Sequence, residues 1–209
     1  MATIEYVYSA HSAYAYIGAQ RFMEIAKAAN ATVIHKPILL SPVMAAIAAN
    51  PSGRRPRAYY DYQFGREIER WAEYRGVPCI NYIPTDHSAD YSLAAGMVIA
   101  LGDKGPKVDE LAHAIMRAHW VDDINLSDRE ALTKVATQCG HDSDALLEKA
   151  ASQAVQDQLQ ANTEWAIERH VIGSPTYFVD GDPFYGQDHL ELVERALEKP
   201  FAAPNFKRP

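Results

Sequence analysis

The sequence has little cysteine, no long apolar run and no excess of positive charge. Its two cysteines, Cys79 and Cys139, form neither a Cys-x-x-Cys pair nor a metal-ligand spacing, so we expect reduced thiols and no disulfide. No run of about 18 apolar residues occurs, which argues against a membrane-spanning helix. The formal net charge of −7 argues against a general binder of nucleic acid or membrane surfaces. Because no apolar leader segment is found at the N-terminus either, we expect a cytoplasmic protein.

Neither basic residues nor metal-ligating residues are concentrated in one place. The nearest approach to a basic cluster is the segment 54–57, Arg-Arg-Pro-Arg, which is too short to bind a polyanion by itself. Most of the histidines show no spacing at which ligands would converge on an ion, and we predict no metal site. These histidines are His35, His87, His113, His119, His141 and His170.

The two ends of the chain carry β-strand patterns. Residues 4–8 predict a buried strand, 13–29 a helix and 31–36 a second strand, which together form a parallel, right-handed βαβ unit. Near the C-terminus, residues 173–180 predict a strand, Asp180-Gly181 a hairpin turn, 183–185 its partner and 190–197 a final helix. We expect both ends to build one sheet in an α/β domain formed by residues 1–38 and 171–209.

The segment between them, residues 39–170, is alanine-rich and is expected to be a helical insertion. Ser127 and Glu130 have the spacing of a capping box that opens one of its helices. The long helical pattern at 144–170 is expected to break near Asn162-Thr163. No repeat period is detected, which argues against a solenoid. The other predicted helices cover 43–49, 58–75, 89–101 and 108–121.

Ser12 stands where the first strand gives way to the first helix, and two interpretations of it are open. Its hydroxyl can accept a hydrogen bond from the helix backbone as an N-cap. The same position also surrounds the hydroxyl with free N–H groups at the positive end of the helix dipole, a site that favours an anion such as a thiolate. No histidine–carboxylate pair with clear triad spacing accompanies Ser12, so a serine hydrolase is disfavoured.

Several motifs resemble one known family over nearly the whole chain. Residues 12–17, Ser-Ala-Tyr-Ala-Tyr-Ile, lie where redox-active thioredoxin-type proteins carry Cys-x-x-Cys, and they resemble the Ser-Pro-Tyr-Ser-Tyr-Leu of 2-hydroxychromene-2-carboxylate isomerases and kappa-class glutathione transferases. Residues 173–177, Gly-Ser-Pro-Thr-Tyr, are similar to the family's Gly-Val-Pro-Thr-Phe, and 184–190 to its Phe-Trp-Gly-x-Asp-Arg-Leu. Residues 70–72 and 117–120 also resemble its helical insertion. The resemblance implies a thioredoxin-like fold with a large α-helical insertion, of the DsbA/kappa-class type.

The resemblance implies glutathione as cofactor, with Ser12 as the catalytic donor to its sulfur. A cis bond is expected between Ser174 and Pro175, with the Ser174 backbone pairing with the cysteinyl part of the tripeptide. Gln187 and Asp188 would receive the γ-glutamyl end, although Asp188 could equally be an N-cap.

Other parts of the family's site are matched less fully. Asn50 matches a loop asparagine and would reach the glycyl or second-substrate side. The basic residue that usually follows this loop has no clear counterpart, and Arg54, Arg55 or Arg57 could replace it. His11, beside Ser12, is either a further polar contact or a surface residue.

Three functions remain open. The first is a glutathione-dependent isomerase that acts on ring-opened aromatic acids of the o-hydroxybenzylidenepyruvate type. The second is a kappa-like transferase or peroxidase, and the third is a thioredoxin-fold binding protein without catalysis. The resemblance also suggests a homodimer. An aromatic substrate pocket could draw on Tyr14, Tyr16, Tyr59, Tyr60, Tyr62, Tyr82 and Trp120.

Overall fold

A mixed sheet formed by both ends of the chain lies at the centre of the fold. The computed structural model describes residues 2–47 and 56–205, and within them the sheet has four strands in the order β2-β1-β3-β4. β1 pairs with β2 in parallel, whereas β1 with β3 and β3 with β4 are antiparallel. The strands are β1 Thr3–Tyr8, β2 Thr32–Pro37, β3 Thr176–Val179 and β4 Asp182–Tyr185. The predicted parallel βαβ unit and the joining of both ends of the chain in one sheet are confirmed.

Helices cover the sheet and fill the segment between β2 and β3. One long helical segment, residues 57–75, changes from α-helix to π-helix and back, with Asp61–Arg66 forming the π-helical part. A 3₁₀ turn, Gln187–His189, precedes the last helix. The α-helices are α1 Ala13–Ala28, α2 Leu40–Ile47, α3 Arg57–Tyr60, α4 Glu67–Arg75, α5 Ser92–Leu101, α6 Pro106–Val121, α7 Arg129–Gln138, α8 Ser143–Ala150, α9 Gln153–Glu168 and α10 Leu190–Glu198.

The core runs without interruption from the sheet into the helices of residues 40–168. Tyr6 in β1 stacks on Tyr8 at a ring-centroid distance of 4.3 Å and on Tyr177 in β3 at 5.4 Å. The same cluster of buried residues includes Leu111 of α6 and Leu147 of α8. A second, smaller cluster of buried residues likewise joins the sheet to α2 and α9. The predicted discontinuous domain and its insertion are therefore packed together through shared hydrophobic clusters.

The predicted capping box at Ser127 is wrong. Both the hydroxyl and the N–H of Ser127 bond to Asn125 Oδ1, at 2.7 and 2.8 Å. Asp128 is the N-cap of α7 instead, and its carboxylate accepts from the Glu130 N–H at 2.9 Å. Because Ser127 is hydrogen-bonded within the turn at Asn125, it cannot cap the helix, and the N-cap lies one residue later.

The predicted break near Asn162-Thr163 is also wrong. These residues lie inside α9 and are buried, with Asn162 donating to Pro37 O at 3.2 Å and Thr163 Oγ1 accepting from the Leu39 N–H at 3.0 Å. Their polar groups hold the end of β2 in place rather than interrupting the helix. The break falls at Ala151-Ser152, where Ser152 is the N-cap of α9.

Candidate functional site

Ser12 is the N-cap of α1 and also lies on the wall of a cavity. Its backbone is extended, with φ −74° and ψ 120°, and its Oγ accepts a hydrogen bond from the Ala15 N–H at 3.3 Å. The same hydroxyl donates to the Ser174 carbonyl oxygen at 3.2 Å. The N–H groups of Ala13 and Tyr14 belong to the first helical turn, where no intrahelical acceptor is available. The two interpretations of Ser12 are therefore compatible, since one side chain both caps the helix and stands among its first amides.

The cavity at Ser12, called the Ser12 cavity below, lies between the start of α1 and the loop before β3. Its volume is about 180 Å³. The Ser174–Pro175 peptide bond in that loop is cis, which confirms the expectation from the resemblance. The cavity is lined by His11, Ser12, Ala13, Tyr14, Leu40, Met44, Tyr59, Gln63, Phe64, His87, Trp120, Gly173, Ser174 and Tyr185.

The loop opposite Ser12 is fixed by hydrogen bonds at both ends of the cis peptide. The Ser9 N–H donates to Ser174 Oγ at 2.9 Å, and the Gly186 N–H donates to the Pro175 carbonyl at 2.9 Å. A Cβ on Gly173 would come within 2.5 Å of the Tyr185 ring, so this ring packs directly on the glycine. The wall of the cavity on this side is therefore held by two backbone N–H donors and by the packing of the Tyr185 ring.

Gln187 and Asp188 do not lie on the wall of the Ser12 cavity. The Gln187 side chain is 1% exposed and turned into the protein, where its Oε1 accepts from Arg75 Nε at 3.2 Å. Arg75 Nη2 also donates to the Gln187 carbonyl at 3.1 Å, which fixes the 3₁₀ turn. Asp188 is about half exposed, with its Oδ1 at 3.5 Å from His189 Nδ1. A ligand held at Ser12 would have to extend out of the cavity to meet Asp188.

The candidates in the loop after α2 are only partly described. Asn50, Arg54 and Arg55 lie outside the described residues. Arg57 has a side chain that is 93% exposed and pairs with Asp61 at 3.6 Å. A role of these residues in holding a ligand stays a prediction.

The aromatic residues proposed for a substrate pocket separate into three groups. Tyr14, Tyr59 and Trp120 line the Ser12 cavity. Tyr60 and Tyr82 line a second cavity of about 420 Å³, called the outer cavity below. Tyr16 and Tyr62 line neither of these two cavities, and the Tyr16 hydroxyl donates to Pro78 O at 2.8 Å. The outer cavity is lined by Tyr60, Asp61, Phe64, Gly65, Asn81, Tyr82, Ile83 and His87.

Three histidines meet beside Ser12. His11 Nδ1 lies 2.7 Å from Ser9 Oγ, and the His11 ring centroid lies 4.7 Å from that of His87. His87 Nδ1 is 3.0 Å from His119 Nε2. Burial, followed by the neighbouring histidines, lowers the pKa of His11 to about 3, and burial and His119 lower that of His87 to about 4. Burial also lowers the pKa of His119.

These histidines are therefore neutral near pH 7 and add no positive charge at the Ser12 cavity. Within the described residues, no group of three or more histidine, cysteine or acidic side chains is placed to hold a metal ion. The cluster escaped the sequence analysis because its members are 76 and 32 residues apart and lie on separate elements. No spacing pattern marks such a group, since only the folded chain brings it together.

The protein's own thiols are poorly suited to anionic sulfur chemistry. Cys79 and Cys139 are both free and half-buried, as expected. Burial raises the pKa of the Cys79 thiol to about 11 and also raises that of Cys139. Neither cysteine lines the Ser12 cavity. A thiolate at Ser12 would therefore have to come from another molecule.

Comparison with known proteins places the chain in a family. A sequence model of the DSBA-like thioredoxin domain matches residues 3–198. The 2-hydroxychromene-2-carboxylate isomerase of Pseudomonas putida is 27% identical over 198 residues, which covers 93% of each chain. The isomerase of the same name from Sphingobium xenophagum is 26% identical over 196 residues, and the alignment covers 93% of this chain and 97% of that protein.

A solved structure shows the same likeness in three dimensions. A 2-hydroxychromene-2-carboxylate isomerase superposes with a TM-score of 0.82 at 25% identity, with 94% of this chain and 95% of that chain covered.

Within residues 2–47 and 56–205, no helix is both long and apolar enough to cross a membrane. The expected thioredoxin-like fold with its many helices is confirmed. The chain belongs to the family of DSBA-like thioredoxin domains.

Proposed function

We propose that this protein is a glutathione-dependent isomerase of the 2-hydroxychromene-2-carboxylate isomerase type. Relatives that carry this name align along almost the whole chain and support an isomerase of this family. The observation on which the proposal chiefly rests is the position of Ser12, whose hydroxyl reaches a cavity at the N-terminus of α1 and faces the Ser174 carbonyl at 3.2 Å.

The donor groups around this cavity fit a thiolate. The Ser12 hydroxyl can turn about its Cβ–Oγ bond and donate to sulfur instead of to Ser174. A charge-assisted hydrogen bond contributes roughly 1.5–3 kcal/mol, which corresponds to about one to two pKa units of the thiol. The amides of the first turn of α1 and the helix dipole act in the same direction. Because the nearby histidines are neutral, Ser12 and these amides must supply the stabilisation themselves.

Other residues would bind the rest of the tripeptide. The loop at Ser174 and Pro175 offers backbone groups to the cysteinyl part, and Asp188 is exposed to receive the ammonium of the γ-glutamyl part. Gln187 would then act by supporting the 3₁₀ turn through Arg75. Asn50 is proposed for the glycyl or second-substrate side.

The reaction requires a reversible nucleophile and no net redox change. Glutathione, when bound beside Ser12, would supply a thiolate as a reversible nucleophile towards the substrate's conjugated double bond and would be recovered unchanged. Ser12 has the role of a hydrogen-bond donor to sulfur and not of a nucleophile. The cavity walls formed by Tyr14 and Trp120 would exclude water from the reacting bond. The homodimer and the cytoplasmic location stay predictions.

Two measurements test this function. Calorimetric titration with glutathione should show binding at or below millimolar concentration, and the absence of binding would leave only the non-catalytic binding protein. Turnover of trans-o-hydroxybenzylidenepyruvate, which should require glutathione, is then compared with conjugation of chlorodinitrobenzene. Faster conjugation than isomerisation would favour the kappa-like transferase and would contradict the proposal.

A further inference from the structure

The outer cavity and the Ser12 cavity share two side chains. Phe64 and His87 line both of them, so a ligand in the outer cavity reaches towards Ser12 past these two rings. Tyr60 stacks on Phe64 with ring centroids 5.9 Å apart and an interplanar angle of 26°. Tyr82 also lines the outer cavity. This lining favours an aromatic ring, since offset-stacked and edge-to-face contacts stabilise aromatic groups beyond the area they bury.

The outer cavity offers no basic partner for the carboxylate of an aromatic acid. None of its lining residues is lysine or arginine, and its one acidic residue, Asp61, pairs with Arg57 at 3.6 Å. The ring is therefore the part that fits here, and the acidic side chain extends towards the Ser12 cavity.

Hydrogen-bond donor and acceptor roles fix the tautomer of His87. The Ile124 carbonyl can only accept, so His119 Nδ1, at 2.9 Å from it, carries a proton and donates. Because the His119 ring is neutral, its Nε2 is an acceptor, and His87 Nδ1 at 3.0 Å must donate to it. In a neutral His87, Nε2 is then an unprotonated acceptor. This nitrogen makes no hydrogen bond to any residue within the described part of the chain.

We propose that the outer cavity binds the aromatic ring of the substrate and that His87 Nε2 accepts a hydrogen bond from a hydroxyl group ortho to the side chain. This inference rests on the proposed function, because it assigns the second substrate of that same site. His119 is a positioning residue, since it acts only by holding His87 in the accepting tautomer. The preference for a ligand with an ortho hydroxyl therefore depends on two hydrogen bonds, from His119 to the Ile124 carbonyl and from His87 to His119.

A pair of stable ligands that differ by one hydroxyl tests the proposal. o-Hydroxycinnamate and cinnamate share a ring and an acidic side chain, and both are titrated into the glutathione-loaded protein. A neutral hydrogen bond contributes about 0.5–1.5 kcal/mol, so the wild type should bind o-hydroxycinnamate about 2- to 12-fold more tightly. The His87→Phe variant should bind o-hydroxycinnamate and cinnamate with equal affinity, because the hydrogen-bond acceptor is lost. Equal preference in the wild type and in His87→Phe would overturn the proposal.

Two controls keep the interpretation specific. His113→Phe removes a histidine that lines neither of the two cavities and should retain the wild-type preference. Nitrogen NMR of the wild type should show His87 protonated at Nδ1, with the Nε2 resonance moving on addition of o-hydroxycinnamate but not of cinnamate. A proton on Nε2 would contradict the assignment, and this readout needs no variant to fold.

The failure of this inference can be told from failure of the proposed function. Glutathione affinity and glutathione-dependent turnover are measured on the same protein samples. If both are present and the hydroxyl preference does not depend on His87, only the assignment of the outer cavity is wrong. If glutathione does not bind to the wild type, the proposed function is wrong and the inference with it.

Discussion

Replacing Ser12 by alanine should separate the structural role of its hydroxyl from its chemical role. The variant removes the acceptor of the Ala15 N–H and the donor to the Ser174 carbonyl. Loss of an N-cap costs about 1 kcal/mol, and loss of a neutral hydrogen bond costs roughly another 1 kcal/mol. We therefore expect the free energy of unfolding to fall by about 1–2 kcal/mol, with the fold retained.

The expected loss of activity is larger than this loss of stability. Removing a charge-assisted hydrogen bond of about 1.5–3 kcal/mol should lower the thiolate population, and hence kcat/KM below the pKa of the thiol, by about 10- to 150-fold. The assay follows glutathione-dependent isomerisation of trans-o-hydroxybenzylidenepyruvate. Unfolding in urea is measured on the same protein samples.

A second N-cap provides the matched control. Asp142 caps α8 and accepts from the Ala145 N–H at 3.1 Å, away from both cavities. Asp142→Ala should lose a similar amount of stability and keep full activity. If Ser12→Ala and Asp142→Ala reduce activity equally, the effect of Ser12 comes from stability alone and the reasoning on the thiolate is refuted.

Two further predictions concern packing and pH. A Cβ on Gly18 would lie 2.5 Å from Gln187 Cβ, so Gly18→Ala should lower the free energy of unfolding, measured in urea, by about 1–3 kcal/mol. Gly65→Ala places its Cβ in open space and should not destabilise the protein. Equal stability of the two variants would contradict the packing argument. His11 has its pKa lowered from 6.5 to about 3, so only the unfolded chain gains this proton as the pH falls through 6.5. The contribution of His11 to the free energy of unfolding is therefore present above about pH 6.5 and is lost as the pH falls towards 3. Between about pH 7 and 5 this loss amounts to about 2 kcal/mol. His11→Gln should lose less stability than the wild type over this range, and an equal loss in the two proteins would contradict the burial argument.

Helices, strands and turns whose signals are local in the sequence were predictable. The β-rich run before Ser12, the helix after it and the Asp180-Gly181 hairpin are all confirmed, because alternation, capping and turn residues lie within a few positions of each other. Asn162 was misinterpreted for the opposite reason. Its buried bond to Pro37 spans 125 residues, so nothing nearby in the sequence shows that its polarity is satisfied.

The candidate site was predictable only in part. Ser12 and the loop at Ser174 could be found because each lies in a short motif, and the structure brings them to 3.2 Å. The orientation of the Gln187 side chain towards the protein interior depends on a hydrogen bond from Arg75, which is 112 residues away in the sequence. The histidine cluster likewise depends on contacts between separate elements, which a single sequence does not encode as a pattern.

If the site converts a bound thiol into a thiolate, the pKa of the thiol of bound glutathione must be lowered. Ultraviolet absorbance of the thiolate is recorded against pH for the glutathione complex of the wild type and of Ser12→Ala. A free cysteine thiol has a pKa of about 8.5, and we expect a value about one to two units lower in the wild-type complex than in Ser12→Ala. A thiol that titrates in the wild-type complex at the same pH as in free glutathione would contradict the account.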